Sequence, residues 1–217
     1  MSDYGDFDDL SIFGLPGVAA AGHEQSPINI KRANQDEALE DLRLAYKDSF
    51  YRALNDGYTV RVEYDQGSFI IFQGQRYELQ QFHFHSPAEH RINGQIFPMC
   101  IHLVHANHAG ELLVVGIKFA EGAENPFLAK FWDRLPVGTW HVQGNFKLNA
   151  GELFPANLHY FTYKGSLTTP PYTEGVTWVI LKQALEVSRS QVQKFKAIVG
   201  QNARSIQPLN DRLVREH

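Results

Sequence analysis

Apolar and polar residues alternate with a period of two over a series of short stretches bounded by Gly, Asn, Asp or Gln turn signals. Residues 58–64, 69–72, 76–85, 99–105, 112–119, 140–146, 158–163 and 176–182, rich in Val, Ile, Phe, Tyr or Thr, are predicted as strands. Helical spacing occurs twice. Residues 124–135 open with Asn125 as a cap and Pro126 in the first turn, and place Leu128, Phe131 and Leu135 inward. Residues 188–199 open with Ser-x-x-Gln, carry Val192, Phe195 and Val199 along one side, and stop at Gly200. Residues 1–24 keep no period and are expected as an irregular arm. No repeat, low-complexity tract or linker divides the remainder, so residues 25–217 are expected to fold as one domain. The predicted class is mostly β: one large, twisted, mainly antiparallel sheet with peripheral helices.

Composition narrows the function classes. With 217 residues the chain is of single-domain size. Lys+Arg 20 against Asp+Glu 24 leaves a net charge of −4 without a basic block, which argues against nucleic acid or an anionic membrane as the main partner. No apolar run approaches the roughly 20 residues of a membrane span, and no charged-then-apolar leader opens the chain. Cys100 is the only cysteine, so neither an intrachain disulfide nor a thiolate cluster can form.

Histidine is the unusual residue. Six of the 10 histidines (His83, His85, His90, His102, His105 and His108) fall within residues 83–108. Period two puts His83 and His85 on one strand face beside Gln81, with Phe82 and Phe84 opposite. On the next histidine-bearing strand, His102 shares a face with Cys100 and Val104. If the two strands are neighbours, three imidazoles converge and leave a fourth tetrahedral position open, the design of a catalytic zinc site. An isolated His-x-His pair is weak evidence and more often reads as two half-buried rings bonded to backbone; the third in-phase histidine favours the metal. His105 falls out of phase and is expected to be structural, and His108 is expected in a solvated turn.

The string Gln-Phe-His-Phe-His-Ser-Pro-Ala-Glu-His (81–90) followed by His-Leu-Val-His (102–105) resembles the zinc-binding segment of the α-class carbonic anhydrases, in a form closer to the bacterial members. Gln-Ser-Pro-Ile-Asn-Ile (25–30), Tyr-Lys-Gly-Ser-Leu-Thr-Thr-Pro-Pro (163–171), Val-Thr-Trp (176–178) and Arg204 with Gln-Pro-Leu (207–209) match that family's other motifs in order. The resemblance implies reversible hydration of CO2 to bicarbonate through zinc-bound hydroxide, with His83, His85 and His102 as Zn2+ ligands. It implies that Thr168 accepts a proton from the hydroxide and donates its own to Glu89, that Gln81 orients His83, and that Val104, Val114, Leu167, Thr169, Val176 and Trp178 form the substrate pocket. Anions and sulfonamide-type inhibitors are expected ligands, and the family's usual export implies a periplasmic or secreted protein.

Several positions depart from the family pattern. Cys100 stands where most members have a Glu that accepts from the third ligand. Tyr58 occupies the place of a proton-shuttling histidine at the site's rim. Ala20 and Tyr172 replace the cysteine pair of exported bacterial members, which leaves a cytoplasmic protein as the alternative. The aromatic-rich N-terminal segment is shortened, and reduced turnover is an expected consequence of these changes. Two other readings remain at this stage: a cupin-type metal oxygenase, with Glu89 as a fourth ligand of iron or manganese, and an acatalytic relative kept as a binding module.

Overall fold

The computed structural model describes residues 22–217, so the arm expected over 1–24 falls almost wholly outside the described residues, as does Ala20. The strands are β1 (Asn29–Ile30), β2 (Asn34–Gln35), β3 (Arg43–Ala45), β4 (Ser49–Asn55), β5 (Val60–Glu63), β6 (Phe69–Phe72), β7 (Gln75–His85) and β8 (Arg91–Ile92). They continue as β9 (Met99–Ala106), β10 (Leu112–Glu121), β11 (His141–Leu148), β12 (Tyr160–Ser166), β13 (Glu174–Leu181), β14 (Leu185–Val187) and β15 (Arg215–Glu216). Among the described residues one large sheet runs in the order β11-β4-β5-β7-β9-β10-β13-β12-β15-β2, with β3 and β6 joined at β7 and β14 at β10. Most pairs are antiparallel. β10 with β13 and with β14 are the parallel exceptions within the sheet's body.

The central strands are buried on both faces, and period two sorts their side chains into two clusters. Phe82, Phe84, Ile101, Leu103, Leu113, Val115, Ile117 and Val179 join the main core. Val104, Val114, Val176, Trp178 and Ile180 form a second cluster on the opposite face. Two helices, α1 (Pro126–Ala129) and α2 (Arg189–Val199), accompany the sheet. On the main-core side Phe195 of α2 packs on Phe84, their ring centroids 5.9 Å apart. Ser188 caps α2 through a reciprocal box with Gln191, and Gly200 ends it at φ +82°, as its sequence signals predict.

The predicted helix over 124–135 is shorter. Asn125 Oδ1 accepts from Leu128 N–H and Pro126 opens α1, but the chain then tightens into three-residue bonds and a 3-10 turn at Trp132–Arg134. Phe127, Leu128, Phe131, Trp132 and Leu135 are all buried. A regular helix would also gather these five on one face; the helix ends because Lys130 and Phe131 N–H bond the Phe127 and Leu128 carbonyls three residues back. The strand predicted from Tyr58 begins instead at Val60, because Asp56 Oδ1 accepts from the N–H groups of Tyr58 and Thr59 and holds them in a turn (2.9 Å each). The other long strands stand within three residues of prediction, whereas β4 and the short strands β1, β2, β3, β8, β14 and β15 carry no legible period.

His105 is fully buried, with Nδ1 at 3.0 Å from the Leu103 carbonyl and Nε2 at 2.7 Å from Tyr46 Oη. Buried His90 sits 2.7 Å from Tyr163 Oη, and His108 is exposed in a turn. Burial pushes His105 down to about 4 and His90 down to about 3. An unfolded imidazole titrates near 6.5, so above that pH both states hold these rings neutral and the two contribute no pH dependence. Below it the unfolded chain takes up protons that the folded chain refuses, and stability falls. In metal-free protein we expect a loss of about 1.4 kcal/mol per pH unit for each ring between roughly pH 6 and pH 4. Urea midpoints across that range check it; a flat profile would contradict the neutral burial of these two rings.

Candidate metal centre

β7 and β9 are adjacent and antiparallel, and their register sets His83 opposite His102 and His85 opposite Cys100. The alternation that sends Phe82 and Phe84 into the main core therefore turns the imidazoles to the other face. One ring nitrogen from each of His83, His85 and His102 lies within 4.8 Å of the others, the grouping among the described residues able to hold a metal ion. Gly116 of β10 stands opposite His102. A Cβ there would meet Ile180 Cδ1 at 2.7 Å and only touch His102 Cδ2 at 3.7 Å, so the bare backbone makes room for Ile180 beside the ring.

The outer hydrogen bonds determine which nitrogen each ring presents. Gln81 Oε1 lies 2.9 Å from His83 Nδ1, and the Asn202 carbonyl lies 3.2 Å from His85 Nδ1. Carbonyl oxygens only accept, so both Nδ1 atoms carry the proton and both Nε2 atoms keep a lone pair. His85 Nε2 is buried without a hydrogen-bond partner among the described residues, an orphan that a cation would satisfy. For His102 the roles reverse. Nε2 faces Cys100 Sγ at 3.6 Å, which leaves Nδ1 toward the cluster. Burial holds His83 and His102 well below the ordinary imidazole range, helped by neighbouring charges, so both rings stay neutral as ligands must. The donor set fits Zn2+.

Glu89 is buried behind the cluster and is not one of its donors. Its Oε1 accepts from Arg204 N–H at 2.8 Å, and its Oε2 has no full hydrogen bond. Burial raises the Glu89 carboxyl above its ordinary range, an effect that His85, the Thr168 hydroxyl and Arg204 only partly oppose. A cavity opens over His83 and His102. Val104, Val114, Leu167 and Trp178 form its apolar wall; Gln81, Thr168 and Thr169 also line it, and Tyr58 stands exposed at its edge. Val176, expected on that wall, is buried behind it in the same apolar cluster.

Three contributors were missed from sequence. Asn202 belongs to an aperiodic segment after α2, and nothing local marks its carbonyl as the acceptor for a ring 117 residues away. Arg61 lines the cavity and stands opposite His83, and Asp56 lines the same cavity. The alternation of Val60 and Val62 with Arg61 carried the signal for Arg61.

Residues 15–217 match the sequence model described as "Eukaryotic-type carbonic anhydrase". The chain belongs to that family. It is 41% identical over 201 residues to a carbonic anhydrase of Nostoc sp., an alignment covering 90% of this chain and 76% of that one. A hyperthermostable carbonic anhydrase identified from an active hydrothermal vent chimney superposes with a TM-score of 0.87 at 42% identity, covering 90% of this chain and 88% of that one. The Thermovibrio ammonificans α-carbonic anhydrase, solved with the inhibitor sulfanilamide, also gives 0.87, at 37% identity over 89% of this chain and 87% of that one. CO2 hydration is the general function of the family, which is zinc-dependent, and the mostly β fold is its fold. The cupin-type reading falls with this membership and with the exclusion of Glu89 from the donor cluster.

Cys100 is the outer partner of His102. Its thiol is buried, and burial pushes its ionisation up, so it stays neutral. A neutral thiol is a weak acceptor for His102 Nε2–H, and changes in such outer partners alter metal affinity by roughly 10–100-fold. Cys100→Glu supplies a carboxylate at that point, on the strand position paired with Lys118. We expect zinc transfer to a chelator to slow by about tenfold, with an unchanged circular dichroism spectrum. Equal or faster loss from the folded variant would show that sulfur already serves His102 as well as a carboxylate can.

Proposed function

We propose that this family member is an active zinc lyase that interconverts CO2 and bicarbonate, with His83, His85 and His102 as the ligands. The observation that carries the reading is the complementarity of the rings: three imidazoles, each tied by one nitrogen to an outer partner, with His85 Nε2 left buried and unpaired among the described residues. Bound zinc supplies Lewis acidity that ionises a water near neutral pH, the value of about 7 being the one already established for carbonic anhydrases.

The chain's own residues orient the reaction. Glu89 as a carboxylate only accepts, and its Oε1 is already occupied by the Arg204 amide. Thr168 therefore donates its hydroxyl proton to Glu89 and retains only acceptor capacity toward the cavity. A water or hydroxide there must donate to Thr168 Oγ1, which turns a lone pair toward the apolar wall. Val104, Val114, Leu167 and Trp178 offer CO2 a surface free of competing hydrogen bonds. The Thr168 amide and the same cavity are the place for inorganic anions and for sulfonamides, the inhibitor class bound by the Thermovibrio relative.

A CO2 hydration assay on the zinc-loaded protein, with metal analysis, tests the reading. We expect about one zinc per chain, and loss of both zinc and activity in His102→Ala, since two imidazoles leave the site incomplete. Thr168→Val and Glu89→Gln should each lower turnover by roughly 100-fold with zinc retained, because they orient and do not ligate. Full zinc in His102→Ala, or metal loss in either orienting variant, would overturn the assignment. Robust zinc binding without hydration in the unmodified protein would make it an acatalytic binder.

Proton release is the second point of test. Among the described residues the histidines on the cavity wall are His83 and His102, and Tyr58 stands at its edge, so no imidazole beyond the ligand set lines the way out for a proton. Small imidazole buffers should therefore raise turnover severalfold at constant pH and ionic strength, by supplying a base matched to neutral pH. Turnover independent of buffer concentration would place the relay on another residue or a water chain.

A further inference from the structure

Thr168 and Thr169 lie on the loop joining β12 to β13. Its neck is closed by Leu167 N–H donating to the Thr173 carbonyl, and its tip by Tyr172 N–H donating to the Thr169 carbonyl (2.9 Å each). Tyr172 has φ +62°, a left-handed conformation that a bulky residue keeps only where its surroundings impose it. Two contacts impose it here. Gln25 Nε2 donates to the Tyr172 carbonyl at 3.2 Å, and the Arg204 guanidinium lies 3.8 Å from the centre of the Tyr172 ring. Arg204 is anchored in turn, its Nη1 donating to Gln25 Oε1 at 2.9 Å and to the Ser26 carbonyl at 2.7 Å. Through its main chain the same residue donates to Glu89 Oε1 at 2.8 Å. One residue thus grips the carboxylate with its backbone and the threonine loop with its side chain. Cys100 is the chain's only cysteine, so no intrachain disulfide secures this loop.

We propose that the Arg204–Tyr172 stack is a positioning device that sets Thr168 against Glu89, an inference that rests on the orienting role given to that pair above. Tyr172 and the Arg204 side chain act through the loop and are positioning residues. The aromatic face carries the effect, since among the described residues no hydrogen bond involves the Tyr172 hydroxyl. A planar, weakly hydrated guanidinium is suited to lie on that face while its edge remains bonded to Gln25 and Ser26.

Four variants of the zinc-loaded protein test this: Tyr172→Phe, Tyr172→Ala, Tyr172→Gly and Arg204→Lys. Tyr172→Phe keeps the ring and should turn over like the unmodified protein. Tyr172→Ala should lose roughly tenfold in kcat, within the hundredfold that a displacement of about 1 Å can impose. Its zinc content and KM for CO2 should stay unchanged, because ligands and apolar wall are untouched. Tyr172→Gly removes ring and backbone strain together and should match Tyr172→Ala, which assigns the loss to the ring. Arg204→Lys retains the charge and the amide on Glu89 but not the planar stack, and should also lose kcat. Hydrogen exchange on metal-free protein gives an independent reading: the Leu167 amide should exchange faster in Tyr172→Ala, recover in Tyr172→Phe, and leave Val115 in β10 unchanged.

A folded, zinc-loaded Tyr172→Ala with full kcat would overturn the proposal, as would Tyr172→Phe losing as much as Tyr172→Ala. Unchanged exchange at Leu167 would do the same without reference to catalysis. Absence of CO2 hydration in the unmodified zinc protein would instead sink the functional reading, and the exchange experiment would still decide whether the stack holds the loop.

Discussion

The site depends on the antiparallel register between β7 and β9. His83 lies opposite His102, and two residues along β7 His85 lies opposite Cys100. Because side chains alternate with a period of two, a slip by one residue would send the imidazoles into the aromatic core and Phe82 and Phe84 into the cavity. Burial of those phenylalanines against Phe131, Trp132 and Phe195 therefore holds the ligands in phase as well as contributing stability. Metal geometry and core packing are two faces of the same strand pairing.

Around that pairing, each ring is turned by a partner from a different part of the chain. Gln81 is on the same strand as His83, Asn202 follows α2, and Cys100 is on the same strand as His102. The first two are carbonyl acceptors of ordinary strength, and the third is a thiol. The orienting carboxylate Glu89 is likewise held from a distance, by the amide of Arg204. The segment 201–207 thus ties the far end of the chain to the metal cluster, and Gln207 N–H closes it onto the Pro27 carbonyl at 2.7 Å.

Local signals failed where another contact, near or distant in sequence, overrode them. The first turn of α1 obeyed its cap and proline, but the chain then tightened into a 3-10 turn at Trp132–Arg134. Tyr58 has a strand-forming side chain, yet the Asp56 carboxylate captured its amide and kept it in a turn. β4 pairs with both β5 and β11 without a strong pattern of its own, since its place is defined by its neighbours.

The sequence by itself determined the mostly β class, the long central strands, the helix over 188–199, and the face on which His83, His85 and His102 stand, because alternation is a local property of extended backbone. Its motifs, read by resemblance, also pointed to the family and to Thr168 and Glu89. Which strands are neighbours is not local, and only the tertiary structure decided it. The same holds for the ring nitrogen each histidine presents, for the displacement of Val176 from wall to core, and for the meeting of Arg204 with both Glu89 and Tyr172. Contacts that form only when strands pair and loops pack leave no period in the chain that encodes them.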